Sequence, residues 1–547
     1  MLNSKISNDK IYFLIIISAF FKQFNDLLRG GSTYDLFEQW LGAGYVFSKL
    51  QAYINLDFNN PIFSNELNVY DYFGYIFMLP AYIFERLLNS FSYDENNLPI
   101  NDFASNFSSE DAQTFFVLHF FLLIYSFICI HIIYKKLKSL FDRDYAILFI
   151  IIIFLIPSFT GHMLFNIKDV PFLLNLFIAK LFIIEKFYFK KEEELSLVGL
   201  LKLSLLMAAS LLTRINAILF ISFLFFFLIF VNFKNLKIFI KNSILVSGFS
   251  FVFVFLFSPS SWQNPIQWLY ESIMFQSNHP WTGATLTNGD FITAQEMTGS
   301  YLINWYFFKM PLFVHLSFLL FVIFLILKKR NNIIEIYSAI FIIANFLLFP
   351  LLRPTAYDGL RHFLFLIPFI SIIGVSVLKN IKLISKPVFN FTLFVILVYG
   401  ITTQNNLDSY RYAYFNEFTN LGNVTVQCED VDGCGAWPTD YWGFSGKELT
   451  HILNDKYKGV NLLVCEPRHV FAEYLNNKNF TRIEFKDVVA VDTFYTLSLH
   501  RPRQFDSSCE FHITDYRVTC ETVEVVSRDL RNTKIIMSYI NKCSSGI

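Results

Sequence analysis

Residues 145–184 read YAILFIIIIFLIPSFTGHMLFNIKDVPFLLNLFIAKLFII. Two apolar runs, Tyr145–Phe159 and Pro171–Ile184, flank a short passage in which His162, Asn166, Lys168 and Asp169 fall within eight residues. Charged groups at the end of a membrane helix are stable in water, in the headgroup layer or against a charged partner. Gly161–Phe172 is therefore read as a turn at a membrane face. Taken alone it fits an interfacial loop whose Lys168 reaches lipid phosphate. The same pattern recurs, however, in other connections on the same predicted face.

Composition supports the membrane reading. The chain is 54% hydrophobic and 16% charged, against about 25% charged in an ordinary soluble domain. With 68 Phe among 547 residues, most aromatics are lipid-facing or core filler, and their number assigns no binding role. A formal net charge of zero argues against nucleic acid as a partner.

Outward from the central pair, apolar runs recur near 11–24, 112–134, 195–212, 214–232, 242–259, 306–327, 333–351, 360–378 and 388–403. With 144–160 and 170–187 they make about 11 predicted transmembrane helices. The first is short against the roughly 20 residues a span needs; no small-residue cleavage site follows it, so it reads as an uncleaved helix. Lys5 and Lys10 precede it, and Lys135/Lys136/Lys138/Arg143, Lys186/Lys190/Lys191, Lys234/Lys237/Lys241, Lys328/Lys329/Arg330 and Lys379/Lys382/Lys386 fill alternate connections. An eleven-span count puts all of them on the N-terminal side, which the positive-inside rule makes cytoplasmic. The chain is thus expected to be mainly α and polytopic, N-in and C-out. Residues 1–403 form the membrane domain, with a first outer loop at 25–111, and 404–547 form a small non-cytoplasmic α/β domain.

In that tail KELTHILN (447–454) and HVFAEYLN (469–476) read as helices, and NLLVCE, DTFYTLSLHR, YRVTCETVEVVSR and TKIIMSYINK as strands. It holds Cys428, Cys434, Cys465, Cys509, Cys520 and Cys543, enough for three disulfides outside the cytoplasm, with free buried thiols as the alternative.

The outer face collects the polar chemistry. GGSTYDLFEQW (30–40) has a Gly-Gly-Ser-Thr helix start, and Asp35 and Glu38, three apart, share a helix face. Such carboxylates suit a general base or, with Asp169, a divalent cation such as Mg or Mn; the plainer reading is acids that complement a helix dipole. YDYFGYIFMLPAYIF (70–84) reads as an interfacial or partly inserted helix, with Asp71 as a second acidic candidate whose plainer reading is a cap. Arg214 in TRIN and Arg361 in RPTAYDGLRHFLFLIP offer planar cations for a phosphate. Arg361 and His362 open an apolar helix whose dipole opposes them, so an anionic ligand or a carboxylate partner is expected there. Tyr357, Asp358, His162 and Asn166 are supporting polar groups, and Trp281 has a face for stacking on a sugar.

Together, the acidic first outer loop, GHMLFNIKDVPF, LLTRINAILF, NHPWTG, YDGLRHFLFLIP and DYWGFSGKEL resemble the GT-C membrane glycosyltransferases. The likeness is to bacterial relatives of the protein mannosyltransferases (glycosyltransferase family 39-like) and of the aminoarabinose transferases. The resemblance covers about residues 30–450. It implies inverting transfer of a sugar from a polyprenyl-phosphate donor to a glycan, lipid or protein acceptor at the non-cytoplasmic face of a bacterial inner (plasma) membrane. Asp35 matches the base, with Asp169 as its rival, and Lys168, Arg214, Arg361 and His362 match the donor-phosphate cations. Many such enzymes carry adjacent acids in the first loop; here Leu36 and Phe37 separate Asp35 from Glu38.

Two other classes compete. A lipid-linked sugar transporter, or flippase, needs polar residues deep in its spans and related halves; such residues are sparse and no repeat is found. A non-enzymatic membrane scaffold leaves the outer charges dispensable. The topology is tested first: single cysteines in 404–547 should label from outside intact cells, and ones at Lys135, Lys190, Lys234, Lys328 and Lys382 only after permeabilisation. A protected tail reverses the scheme.

Overall fold

The computed structural model describes residues 2–63, 69–72, 74–89, 109–190, 195–231, 236–277, 279, 283–294, 296–327, 332–424, 436–465, 467–501 and 518–545. Trp281, Lys191, Lys234, Lys328, Lys329, Arg330, Cys428, Cys434 and Cys509 lie outside them. Every apolar run predicted above is helical. α1 (Leu2–Arg29) is followed by α2 (Leu36–Ile54) and α3 (Leu79–Asn89) in the first loop. α4 (Ser109–Leu140), α5 (Arg143–Leu155), α6 (Pro157–His162) and α7 (Asp169–Ile184) build the central pair of runs. α8 (Leu197–Thr213), α9 (Ala217–Val231) and α10 (Leu236–Phe257) follow. α11 (Pro265–Ser277), the hairpin β1 (Ala284–Thr287)/β2 (Asp290–Thr293) and α12 (Tyr301–Lys309) follow α10. α13 (Leu312–Ile326), α14 (Ile333–Leu352), α15 (Ile367–Ile384) and α16 (Lys386–Leu407) complete the bundle.

Six of these helices are long and apolar enough to cross a membrane, and a seventh if α12 and α13, bent by 109°, count as one. The chain is an integral membrane protein. The predicted figure of 11 counted α5, α7, α8 and α9 as full spans, but these have 13, 16, 17 and 15 residues. The first span is longer than its apolar run, Asp9–Arg29, because Lys22 and Asp26 pair within it at 2.8 Å. Helices that are apolar all round belong inside: α7 is almost wholly buried. Peripheral α1 and α16 instead expose Leu14, Phe21, Phe391 and Phe394, as lipid-facing surfaces do.

Residues 70–84 are not one interfacial helix. Two 3-10 turns, Val69–Asp71 and Tyr75–Met78, precede α3. Asp71 is no cap either: it is buried against Lys49 at 2.5 Å and accepts from the Tyr45 hydroxyl at 3.1 Å.

Past α16 the chain makes a turn, Asp408–Ala413, then α17 (Leu421–Val424), α18 (Gly446–Lys456) and α19 (His469–Ala472). A five-stranded mixed sheet completes the tail: β3 (Val460–Val464), β4 (Phe480–Arg482), β5 (Thr493–Leu499), β6 (Val518–Leu530) and β7 (Thr533–Ser545), ordered β4-β3-β5-β7-β6. HVFAEYLN is helical only over α19. β4 was not predicted. Cys520 and Cys543 are register partners on β6 and β7 and form a disulfide; Cys465 is also disulfide-bonded.

Bundle and tail share one continuous hydrophobic core. Arg411, fully buried, donates to Asp26 at 2.7 Å and Gln23 at 2.8 Å, clamping the last turn to α1. Gly161 lets this turn sit against α6, since a Cβ there would lie 2.3 Å from the Tyr412 backbone nitrogen. Arg411→Met should destabilise the protein by about 3 kcal/mol, the low end for breaking a buried pair, because Lys22 still reaches Asp26. Thermal unfolding in detergent measures it, and an unchanged midpoint refutes the clamp.

Candidate active site

The segment bearing Asp35 is laid against the tail by backbone hydrogen bonds: Gly31 N–H donates to Phe444 O at 3.0 Å and Tyr34 N–H to Trp442 O at 2.8 Å. Gly30 is required for this approach, because a Cβ there would fall 1.8 Å from the Phe444 ring. The turn facing it is held by Asp440, a buried carboxylate that accepts from the N–H groups of Gly443, Phe444 and Ser445 and the hydroxyls of Ser445 and Tyr412. Burial pushes the Asp440 carboxyl above its ordinary range despite these donors.

Asp35 occupies the N-cap position of α2, where a carboxylate usually accepts from the first-turn N–H groups. It makes no such bond; the Gly-Gly-Ser-Thr run packs on the tail and does not cap. Asp35 Oδ2 instead accepts from Arg361 Nη1 at 2.5 Å, across 326 residues of chain. Arg361 lies 3.7 Å from Asp358, whose carboxylate also meets Arg501 of the tail at 3.3 Å. The carboxylate partner expected for Arg361 is thus a pair of them. Arg361 also stacks over Tyr357 at 4.3 Å and Trp442 at 5.1 Å.

His362 is a correction. Arg361 Nε donates to His362 Nε2 at 3.2 Å, and a ring nitrogen that accepts from a guanidinium carries no proton. His362 packs edge-on against Tyr357 and orients the cation; it is not itself one.

The second cluster comes from the turn between α6 and α7. Asn166 Oδ1 accepts from the Asp169 N–H at 2.9 Å, and its Nδ2 donates to Asp169 Oδ2 at 3.0 Å. The same amide lies 3.3 Å from His162 Nδ1, and His162 Nε2 3.2 Å from the Tyr441 hydroxyl. An amide NH₂ only donates, so His162 Nδ1 accepts and the proton sits on Nε2, toward Tyr441. Arg214, just past α8, takes the other oxygen of Asp169. Asp169 is thereby saturated, with a side chain 5% exposed, whereas that of Asp35 is 27% exposed. Of the two, Asp35 is the more open.

The cations converge. His279, after α11, is pushed down to about 4 by burial and then by Lys168, Arg361 and Arg214, with Asp35 opposing. Burial, then Arg214, also lowers the Lys168 ammonium, while Asp169 and Asp35 work against that. For Asp35, burial alone would raise the carboxyl; Arg361, then Arg501 and Lys168, outweigh it and hold it below the ordinary range.

Glu38 accepts from Tyr70 at 2.9 Å. Among the described residues no group of three or more His, Cys, Asp or Glu is placed to hold a metal ion. Asp35 and Asp169 each already carry a guanidinium. Sequence reasoning passed over Tyr441, Trp442, Asp440, Arg501 and His279. The DYWGF string was the one available signal for the first three; Arg501 had none.

No protein-family model and no curated protein matches the chain. Two solved structures align over nearly the whole chain, both of ArnT from Cupriavidus metallidurans. The apo form has a TM-score of 0.47 at 12% identity and covers 98% of each chain. The form bound to undecaprenyl phosphate has a TM-score of 0.44 at 11% identity, covering 97% of this chain and 98% of that one. At these values the likeness assigns no residue here a role.

The Asp35–Arg361 pair makes a pH prediction. Because the folded pKa of Asp35 is depressed, its stabilisation is present above the unfolded value, about 3.9, and is lost as pH falls through the lower folded value. In Arg361→Gln, burial is less opposed and the folded pKa rises. The fall of the thermal midpoint as pH drops below about 3.9 should therefore be smaller in the variant than in wild type. Superimposable pH profiles refute the coupling.

Proposed function

We propose that the chain is an inverting glycosyltransferase that moves a sugar from a polyprenyl-phosphate donor to a hydroxyl acceptor at the membrane face bearing Asp35. The supporting observation is the convergence of Lys168, Arg214 and Arg361 with the partly exposed carboxylate of Asp35 at the mouth of the bundle. A leaving lipid phosphate gains negative charge as its bond to the sugar breaks, and preorganised cations stabilise that charge. A hydroxyl is a poor nucleophile until its proton is taken, and Asp35 is placed to take it.

In the resting arrangement both functions are silenced together, since Asp35 holds Arg361. An arriving phosphate competes for the guanidinium. As Arg361 turns to it, the opposing charge leaves Asp35, burial dominates, and the carboxylate becomes a stronger base. The acceptor oxygen then attacks the anomeric carbon and its proton passes to Asp35. The bond from that carbon to the phosphate oxygen breaks on the opposite side, and the bonding pair leaves with the phosphate. Asp169, itself held by the Asn166–His162–Tyr441 chain, positions Arg214 and does not accept the proton.

The reading is tested by incubating the purified protein with a panel of labelled polyprenyl-phosphate sugars and separating lipid, glycan and protein products. No transfer from any donor overturns it. Asp35→Asn should lower turnover by about 10²–10⁴-fold while keeping or tightening donor affinity, because Arg361 is released. Near-normal turnover in Asp35→Asn alongside loss in Asp169→Asn would move the base to the α6–α7 turn.

A further inference from the structure

We propose that a basic cleft at the end of the bundle opposite the candidate active site binds the phosphate headgroup of an anionic phospholipid. The span from Arg361 to Ile384 starts at the site and ends at this cleft. At 1.5 Å per residue it covers about 36 Å, slightly more than the roughly 30 Å hydrocarbon core. α5 runs between the same two ends, from Arg143 toward His162. The cleft therefore lies at the other membrane surface.

It has a volume of about 560 Å³ and is lined by Asp142, Arg143, Asp144, Lys379, Lys382, Leu383 and Lys386. Four cations face two carboxylates. Lys379 pairs with Asp142, and Lys382 with Asp144 at 2.7 Å. Neither Arg143 nor Lys386 has a carboxylate within ion-pair distance among the described residues, and the buried Arg143 Nε has no hydrogen-bond partner. The other acids nearby are engaged: Asp9 with Lys138 at 2.7 Å, and Glu335 in capping α14 with Asn332. The cleft thus carries a surplus of positive charge.

The surroundings select a lipid over a free anion. Leu383, in the cleft wall, is 79% exposed, and Ile384 and Phe391 beside it are 60% and 69% exposed. Cations at the membrane surface beside an uncovered apolar face match a headgroup whose acyl chains lie along α15 and α16. Basic pockets between spans take anionic headgroups in this way.

The full chain in zwitterionic detergent should retain added phosphatidylglycerol at least tenfold better than phosphatidylcholine, as followed by native mass spectrometry. Each basic side chain near an anionic headgroup contributes on the order of fivefold. The preference should collapse in R143Q/K382Q/K386Q and survive in K382R/K386R, and equimolar inorganic phosphate should not displace the lipid. Equal retention of the two lipids by wild type, an unchanged preference in the glutamine variant, or displacement by inorganic phosphate overturns the proposal. The wild-type comparison decides even where a variant does not fold. The readout is binding, so it stands or falls independently of glycosyl transfer.

Discussion

The contact between Asp35 and Arg361 is the constraint from which the organisation of this end of the bundle follows. A guanidinium at the start of an apolar helix is opposed by the helix dipole, and a half-buried carboxylate is opposed by desolvation. Each relieves the other at 2.5 Å. To bring them together, the loop after α1 must cross the bundle mouth. It does so by lying on the 442–444 turn, with Gly30 against Phe444. The tail is therefore a wall of the site as well as an appended domain.

A second pair, Asp169 with Arg214, repeats the arrangement with a different outcome. Its carboxylate is buried, and both oxygens are taken by Arg214 and Asn166. Such a group is fixed in place and serves as an anchor for a cation. The Asp35 carboxylate, with Arg361 on one oxygen and a more exposed side chain, keeps the freedom to exchange partners. Two chemically identical residues thus differ in solvent access and in the number of donors around them.

The interior shows why the ion pairs stay at the ends of the helices. α7 and the Arg361–Ile384 span are buried almost throughout, and a charge in that environment is costly unless paired. Paired charge gathers where these helices stop: the Asp35–Arg361 and Asp169–Arg214 pairs at one end, the Lys379–Asp142 and Lys382–Asp144 pairs at the other; Lys180, buried within α7 against the Phe341 ring, is the exception.

The sequence by itself determined the helical runs, the polar character of their ends, and the residue types at 161–172, 214 and 353–362, because hydropathy and charge are properties of local composition. It also marked Asp35, Lys168, Asp169, Arg214 and Arg361 as the groups to watch. It did not determine how many runs are full-length spans, since short helices such as α5 and α9 depend on their packed neighbours. Partner choice was likewise out of reach. That Arg361 meets Asp35 while Arg214 meets Asp169, that Arg501 and Tyr441 enter from the tail, and that His362 accepts rather than carries a proton are contacts between segments distant in the chain. Only the tertiary structure decided them, because the free energy of a charge depends on which other charges and how much water surround it.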